Sequence, residues 1–363
     1  MKLCSLFALT LLGSVALAQD GMPVPEIPFD SAPNVLKLPP NLYLGEASGV
    51  AINSKGHIFV FSRGNSTGPA YGATAAQLLE FGPDGKFIRE IGHNLYAWSF
   101  AHAVRIDKQD NIWAIDKGSD MIIKFDSEGR VAMVFGRKKE ASDEGSEPWK
   151  RVNPPRPAVD GQFRQPTDVT WDTAGNIFIS DGYINSRVAK FDKNGDWVKQ
   201  WGDRGKEQGQ FNTPHSIASD AKGNIYVADR GNRRIQVFDP DGNFVRMIEI
   251  NVPAPPVIHP WMGNMPTPQA VAAQSGAPWA ICITPGPTQY LYSADAMPGR
   301  IYKLSLDGKV LGVLGSSGRQ LKQFGWIHEL ACPSENEVYA AEILNWRVQK
   351  LTLHPAKTTE SGQ

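Results

Sequence analysis

The chain returns again and again to one pattern: an apolar strand, an Asp/Lys-x-Gly-Asn turn, an aromatic strand ending in an acid, then Arg-Ile/Val-x-x-Phe-Asp-x-x-Gly. Such a period constrains architecture before any single residue does, because a short repeated unit cannot bury its own faces and must stack on its neighbours. The clearest copy is HSIASDAKGNIYVADRGNRRIQVFDPDGNFVRMI, and five relatives of it lie along the chain, beginning at GVAINSKGHIFVFSRGN and ending at HELACPSENEVYAAEILNWRVQKL. Each copy holds three or four short runs of β-branched and aromatic residues cut by Gly, Asn and Asp, so each predicts a small antiparallel sheet. Helical periodicity is nearly absent. Radial stacking of six such sheets hides both faces and leaves only short edges. The expectation is therefore an all-β fold, a six-bladed β-propeller, over residues 45–355. The sixth copy stops near Leu353 without its outer strand, and a segment such as Asn34 to Leu38 is expected to supply it.

The flanks and the composition bound the rest. Residues 1–18 read as a signal peptide, with an apolar run from about Leu6 to Val15 and the small-x-small site Ala16-Leu17-Ala18. Cys4 precedes that run and is not placed as a lipid anchor. An N-terminal segment, 19–44, precedes the propeller and a short tail, 356–363, follows it. No later stretch is apolar and long enough to span a bilayer, so a secreted or periplasmic protein is expected. The 37 Lys and Arg balance 37 Asp and Glu, which leaves no basic footprint for nucleic acid and no polybasic patch for a membrane. A monomer acting on a small molecule or peptide is the expectation. Cys282 and Cys332 read equally as two small buried hydrophobes or as one disulfide. Two stretches, Arg137 to Gln162 and Asn251 to Ser275, break the rhythm and are expected to overhang one face of the disc.

Three histidines share a register. His102, His215 and His328 each lie fourteen residues before the acid of their copy, Asp116, Asp229 and Glu342, and successive histidines are 113 residues apart. Ser48 and Thr167 hold the same place in the first and third copies. The fifth has no histidine there, whether the count reaches Ile281 directly or Trp279 through a longer turn. A single histidine at a loop edge reads as an ordinary polar residue; three in alternate blades converge on the axis roughly 120° apart and suit one metal ion. Three neutral imidazoles favour zinc, although copper, nickel, cobalt or iron would accept the same donors. His57, His93, His259 and His354 share no register.

Arg63 and Arg230 sit one residue past the acid position of their blades, and Tyr183 sits two past it in SDGYINSR. All three should emerge on the metal face. Two guanidiniums beside a cation need an anion between them, which points to a carboxylate-bearing substrate. The plain structural alternatives are a blade-to-blade salt bridge for the arginines and a rim aromatic for the tyrosine. A phenol near cations has its ionised form favoured, which makes Tyr183 a candidate general base.

The segment ADRGNRRIQVFDPDG matches the hallmark of the NHL repeat. The stretches SGVAINSKGHIFVFSRGN, FAHAVRIDKQDNIWAID, FRQPTDVTWDTAGNIFISDGYINSRV, FNTPHSIASDAKGNIYVADRGNRRIQ and WIHEL go further, and by them the chain resembles the peptidyl-α-hydroxyglycine α-amidating lyase family. That family cleaves a C-terminal α-hydroxyglycine into a peptide amide and glyoxylate. The resemblance implies His102, His215 and His328 as zinc ligands, Tyr183 as base, and Arg63 and Arg230 as substrate-binding groups. It also implies a structural calcium in the central channel, on the carbonyls of Val50 and Val104 and the carboxylate of Glu329. Glu329 stands where the family has aspartate, Trp326 replaces a methionine near the substrate, and Ile184 and Tyr226 stand where paired cysteines would be. Two other functions stay open at this point: a non-catalytic NHL propeller that binds a protein or peptide, and a metal-dependent lactonase or other hydrolase.

Overall fold

The structure, a computed structural model, describes residues 24–64, 76–138, 152–255, 258 and 267–354. The expected signal peptide, the expected C-terminal tail and His259 lie outside these residues. Six four-stranded antiparallel sheets form the blades. Their innermost strands are Ala47–Ile52, Ala101–Ile106, Asp168–Trp171, Pro214–Ser219, Ala280–Ile283 and Ile327–Ser334. Each packs beside the next, and the sixth packs beside the first, so the ring is closed.

Burial explains why the strands read as they do. In the fourth blade Ile225–Asp229 and Arg234–Phe238 are buried throughout, whereas the outer strand Phe244–Ile248 alternates. The middle strands are sandwiched between blades and become continuous apolar runs; the outer strand has one wet face. The Asp-x-Gly-Asn turns are held by their own aspartates. Asp220, for example, accepts from the amides of Lys222 and Asn224 at 2.9 Å each, while Gly223 takes φ 86°. In the second blade Asp110 stands in the glycine place and adopts φ 60°, a conformation a short polar side chain tolerates.

The outer strand of the sixth blade is Phe29–Ala32, which pairs with Arg347–Leu353 from Phe29 opposite Leu353 to Ala32 opposite Lys350. This corrects the expectation of Asn34 to Leu38. Asn34 turns the chain at φ 52°, and Val35, Leu36 and Leu38 then join the apolar cluster between blades one and six while the Lys37 amide donates to the Gly85 carbonyl of the first blade at 2.8 Å. The apolar run was real, but it fills the seam between these blades. N- and C-terminal strands thus zip one sheet shut, and Ser31 Oγ adds a 2.6 Å bond to Gln349.

Cys282 and Cys332 form a disulfide that joins the inner strands of blades five and six. A short helix, Pro268–Gln274, capped by the Thr267 hydroxyl, lies in the second irregular stretch. Seven residues are too few to show a helical period in sequence. The described ends of both irregular stretches connect an outer strand to the next inner strand, which places them on the face where inner strands begin. Among the described residues no helix is long and apolar enough to cross a membrane.

Deleting residues up to Ala32 should lower the melting temperature by roughly 5 °C or more and speed hydrogen exchange first along Arg347–Leu353. Unchanged protection on that strand would show that the terminal zip does not hold the blade.

Candidate metal centre and active site

Five buried acids set the height of the loops that enter the inner strands. Asp116 accepts from the amides of Ser99 and Phe100, Asp181 from Arg164, Asp229 from Asn212, Asp295 from Gly276 and Glu342 from Gly325. Arg187, Arg234 and Arg347 pair with three of them, so these carboxylates are both neutralised and fully bonded. The residue that follows each loop is therefore placed rigidly.

His102, His215 and His328 each occupy a β-bulge, where the register slips between Ala101 and Ala103, Pro214 and Ser216, and Ile327 and Glu329. Bulges re-aim a side chain. Thr167 and Trp279, at the equivalent places in blades three and five, precede ladders that run without a slip at that end. Trp279, whose amide donates to the Ala294 carbonyl as that of Thr167 does to Ser180, settles which residue the fifth blade offers.

One contact recurs at all three histidines. His102 Nδ1 donates to the Thr167 carbonyl at 2.7 Å, His215 Nδ1 to Trp279 at 2.7 Å and His328 Nδ1 to Ser48 at 2.8 Å. A carbonyl only accepts, so each Nδ1 carries the proton and each Nε2 presents its lone pair. The ring centroids lie 4.8, 4.7 and 4.9 Å apart, and the ligand nitrogens all lie within 4.8 Å of one another. Burial is the main reason all three imidazoles are held well below the usual histidine range; the other imidazoles add to it at His102, Arg230 at His215 and Arg63 at His328. Neutral, oriented and convergent, the set fits a borderline-soft divalent ion.

The structure also brings Tyr183, Arg63 and Arg230 to this place. The Tyr183 hydroxyl lies 3.3 Å from His102 Nε2 and 3.0 Å from His215 Nε2. Burial alone would raise its pKa, but Lys117, Arg230 and Arg63 together outweigh burial and hold the phenol below its ordinary value. Arg230 stacks over Trp279 with Cζ 4.0 Å from the ring centroid, and its Cζ is 5.5 Å from that of Tyr183. Arg63 is partly the blade-to-blade tie: Nη1 pairs with Glu46 at 2.8 Å and Nε donates to the Ala101 carbonyl of the next blade at 3.0 Å. Lys117 was missed in the sequence, although it stands one past Asp116, the very register of Arg63 and Arg230. Its Nζ lies 4.0 Å from the Tyr183 ring centroid. Trp279, which carries the Arg230 guanidinium on its face, forms an apolar wall with Trp326, Ala277 and Ala296.

An arginine shares the channel with the residues expected to hold calcium. One oxygen of Glu329 is taken by protein donors, Oε2 accepting from the amides of Val50 and Val104 at 2.9 and 3.1 Å, while Oε1 lies 3.1 Å from Arg105 Nε as an ion pair without a hydrogen bond. Arg105 fills the axis below the histidines. Its guanidinium pairs with Asp168 at 2.6 and 2.8 Å and donates to the carbonyls of Leu330 and Ile281 and to Ser216 Oγ. A fixed positive charge already sits among the carboxylates and carbonyls that a hard dication would need. Arg105 also floors a cavity of about 320 Å³ that opens on the opposite face, so it plugs the channel between the two mouths.

Fold and site together define a six-bladed β-propeller with a His₃ pocket on its axis. A model of the NHL repeat matches residues 211–238, within and just ahead of the fourth blade. The chain is 28% identical over 333 residues to peptidyl-glycine alpha-amidating monooxygenase A of Xenopus laevis, a match that covers 83% of this chain and 31% of that protein. It is 24% identical over 342 residues to peptidyl-alpha-hydroxyglycine alpha-amidating lyase 1 of Drosophila melanogaster, covering 85% of this chain and 57% of the relative. The chain thus spans about a third of the first relative and little more than half of the second. Among solved structures it superposes on virginiamycin B lyase of Staphylococcus aureus with a TM-score of 0.52 at 13% identity, over 86% of this chain and 97% of the other, a likeness of fold alone. The resemblance to the α-amidating lyases read from the motifs is present across most of the chain.

Arg105→Ala should lose roughly 3–5 kcal/mol of stability, because it strands Glu329 and Asp168 in the core. Wild type should melt at the same temperature with calcium or with a calcium-selective chelator; a marked calcium-dependent rise in wild type would show that the channel does take the ion.

Proposed function

We propose that the axial pocket is a lyase site that cleaves the C–N bond of a C-terminal α-hydroxyglycine, or of a related α-hydroxy acid amide, to give an amide and glyoxylate or its analogue. The observation that carries this reading is the Tyr183 hydroxyl, held against two imidazole nitrogens and under the influence of three cations. The similarity to proteins named for amidation supports it. A zinc ion on His102, His215 and His328 would act as a Lewis acid toward the substrate hydroxyl.

The chain's own groups do the rest. Arg230, with Arg63 beside it, holds the substrate carboxylate by charge-assisted hydrogen bonds. Tyr183 takes the carbinol proton, the electron pair left on oxygen forms the new carbonyl, and the C–N bond breaks with its pair on nitrogen. The same tyrosine returns the proton to that nitrogen, so atoms and charge balance without a co-reactant. Trp279, on which the Arg230 guanidinium stacks, packs against Trp326 and with it gives the pocket an apolar wall that limits access of water. The protein acts after export, in a compartment where the Cys282–Cys332 disulfide persists.

Purified protein should carry about one zinc per chain, lost in His215→Ala, and should release glyoxylate from α-hydroxyhippurate. Tyr183→Phe should slow that release by roughly 10²–10⁴-fold with the metal retained. A well-folded, zinc-reconstituted wild type that releases no glyoxylate would favour a propeller that only binds its ligand.

A further inference from the structure

Several other buried cations of the blades are matched to acids, Arg187 with Asp181, Arg234 with Asp229, Lys303 with Glu335 and Arg105 with Asp168, while buried Arg300 donates to the Val252 carbonyl and Ser275 Oγ. Lys117 and Arg230 differ. Both project into the axial pocket, and among the described residues neither has a carboxylate within ion-pair distance. Glu46 answers only Arg63. The three imidazoles are neutral; Lys117 and Arg230 are balanced by a Tyr183 phenolate and one substrate carboxylate, so the excess positive charge of the working pocket is that of the metal ion the imidazoles would hold.

The placement of Lys117 says where a second negative charge would go. Its ammonium lies over the Tyr183 ring at 4.0 Å and near the Phe100 ring at 4.9 Å, while the Arg63 guanidinium covers Phe100 at 3.9 Å. Arg230 approaches the same tyrosine ring at 5.5 Å. The aromatic rings hold the ammonium up without satisfying its three donors. Burial lowers the pKa of Lys117, Tyr183 opposes that shift, Arg63 and Arg230 add to it, and an anion beside the ammonium would oppose it further. Arg230 and Lys117 approach Tyr183 from the blades on either side of it, at 5.5 and 4.0 Å from its ring.

We propose that Lys117 is a specificity-determining anion holder, and that it and Arg230 together select α-hydroxy acid amides bearing a second acidic group. This substrate class rests on the lyase reading above. Malate and lactate are α-hydroxy acids that differ by one carboxylate and have no C–N bond to break, so they probe the site without turnover. Titrated into the metal-loaded full chain, malate should bind about tenfold more tightly than lactate. The ratio should fall toward one in Lys117→Met and persist in Lys117→Arg, with far-ultraviolet circular dichroism checking the fold of both. A ratio near one in wild type, or one that survives Lys117→Met, overturns the proposal. Loss of the preference in Lys117→Met, with no glyoxylate released by wild type from neutral or acidic hydroxyglycines, upholds the anion site and overturns the lyase reading instead.

Discussion

Each axial histidine is gripped by a carbonyl of the following blade, His102 by Thr167, His215 by Trp279 and His328 by Ser48. The contact is a hydrogen bond worth about 1 kcal/mol net, but its direction matters more than its energy. It assigns the proton to Nδ1, turns Nε2 to the axis, and makes the spacing of neighbouring blades a determinant of the site. The third grip crosses from blade six to blade one, where the ring closes. Phe29–Ala32 and the disulfide between blades five and six reinforce that same sector. Closure and chemistry are therefore one problem: a propeller that opened by a few ångströms would disorient His328 before it lost much core.

Beneath the histidines, Arg105 turns the channel from a polar pore into a sealed floor. Two buried carboxylates face it, and burial pushes Glu329 well above the ordinary carboxyl range, with Asp168 adding and Arg105 opposing. Removing water from the axis also strengthens every charge above it, since fields that bulk solvent would screen act across a low dielectric. The cations around Tyr183 outweigh the burial of that phenol in such surroundings. The floor and the pocket thus share an electrostatic cause.

Much of this was legible in the sequence because it is repeated. Six returns of one pattern gave the blade count, and three histidines in one register gave the pocket. The failures occur where a residue departs from the repeat or acts outside its own copy. Val35 to Leu38 carries the apolar character of a strand, yet joins the apolar cluster between blades one and six, and nothing local distinguishes that from pairing with blade six. Arg105 looks like a solvated charge in a strand until the ring closes around it. The pairing of Cys282 with Cys332 needs two adjacent inner strands, fifty residues apart, and periodicity alone does not supply their separation in space. Lys117 carries a signal in the sequence, the acid-plus-one position that it shares with Arg63 and Arg230.

The pocket is divided by blade. Cations come from blades one, two and four, as Arg63, Lys117 and Arg230, while blades five and six give Trp279, Ala296 and Trp326. The position that carries a cation in the first group is Ala296 in blade five and Ile343 in blade six. Under the proposed reaction the carboxylate lies against Arg230, itself stacked on Trp279, and the carbinol lies beneath the histidines. Tyr183, from blade three, enters at the border of the two halves, where the carbinol proton must leave and the nitrogen must receive it. Its position between His102 and His215 then follows from blade order: the residue that moves the proton comes from the blade flanked by two of the three histidine blades.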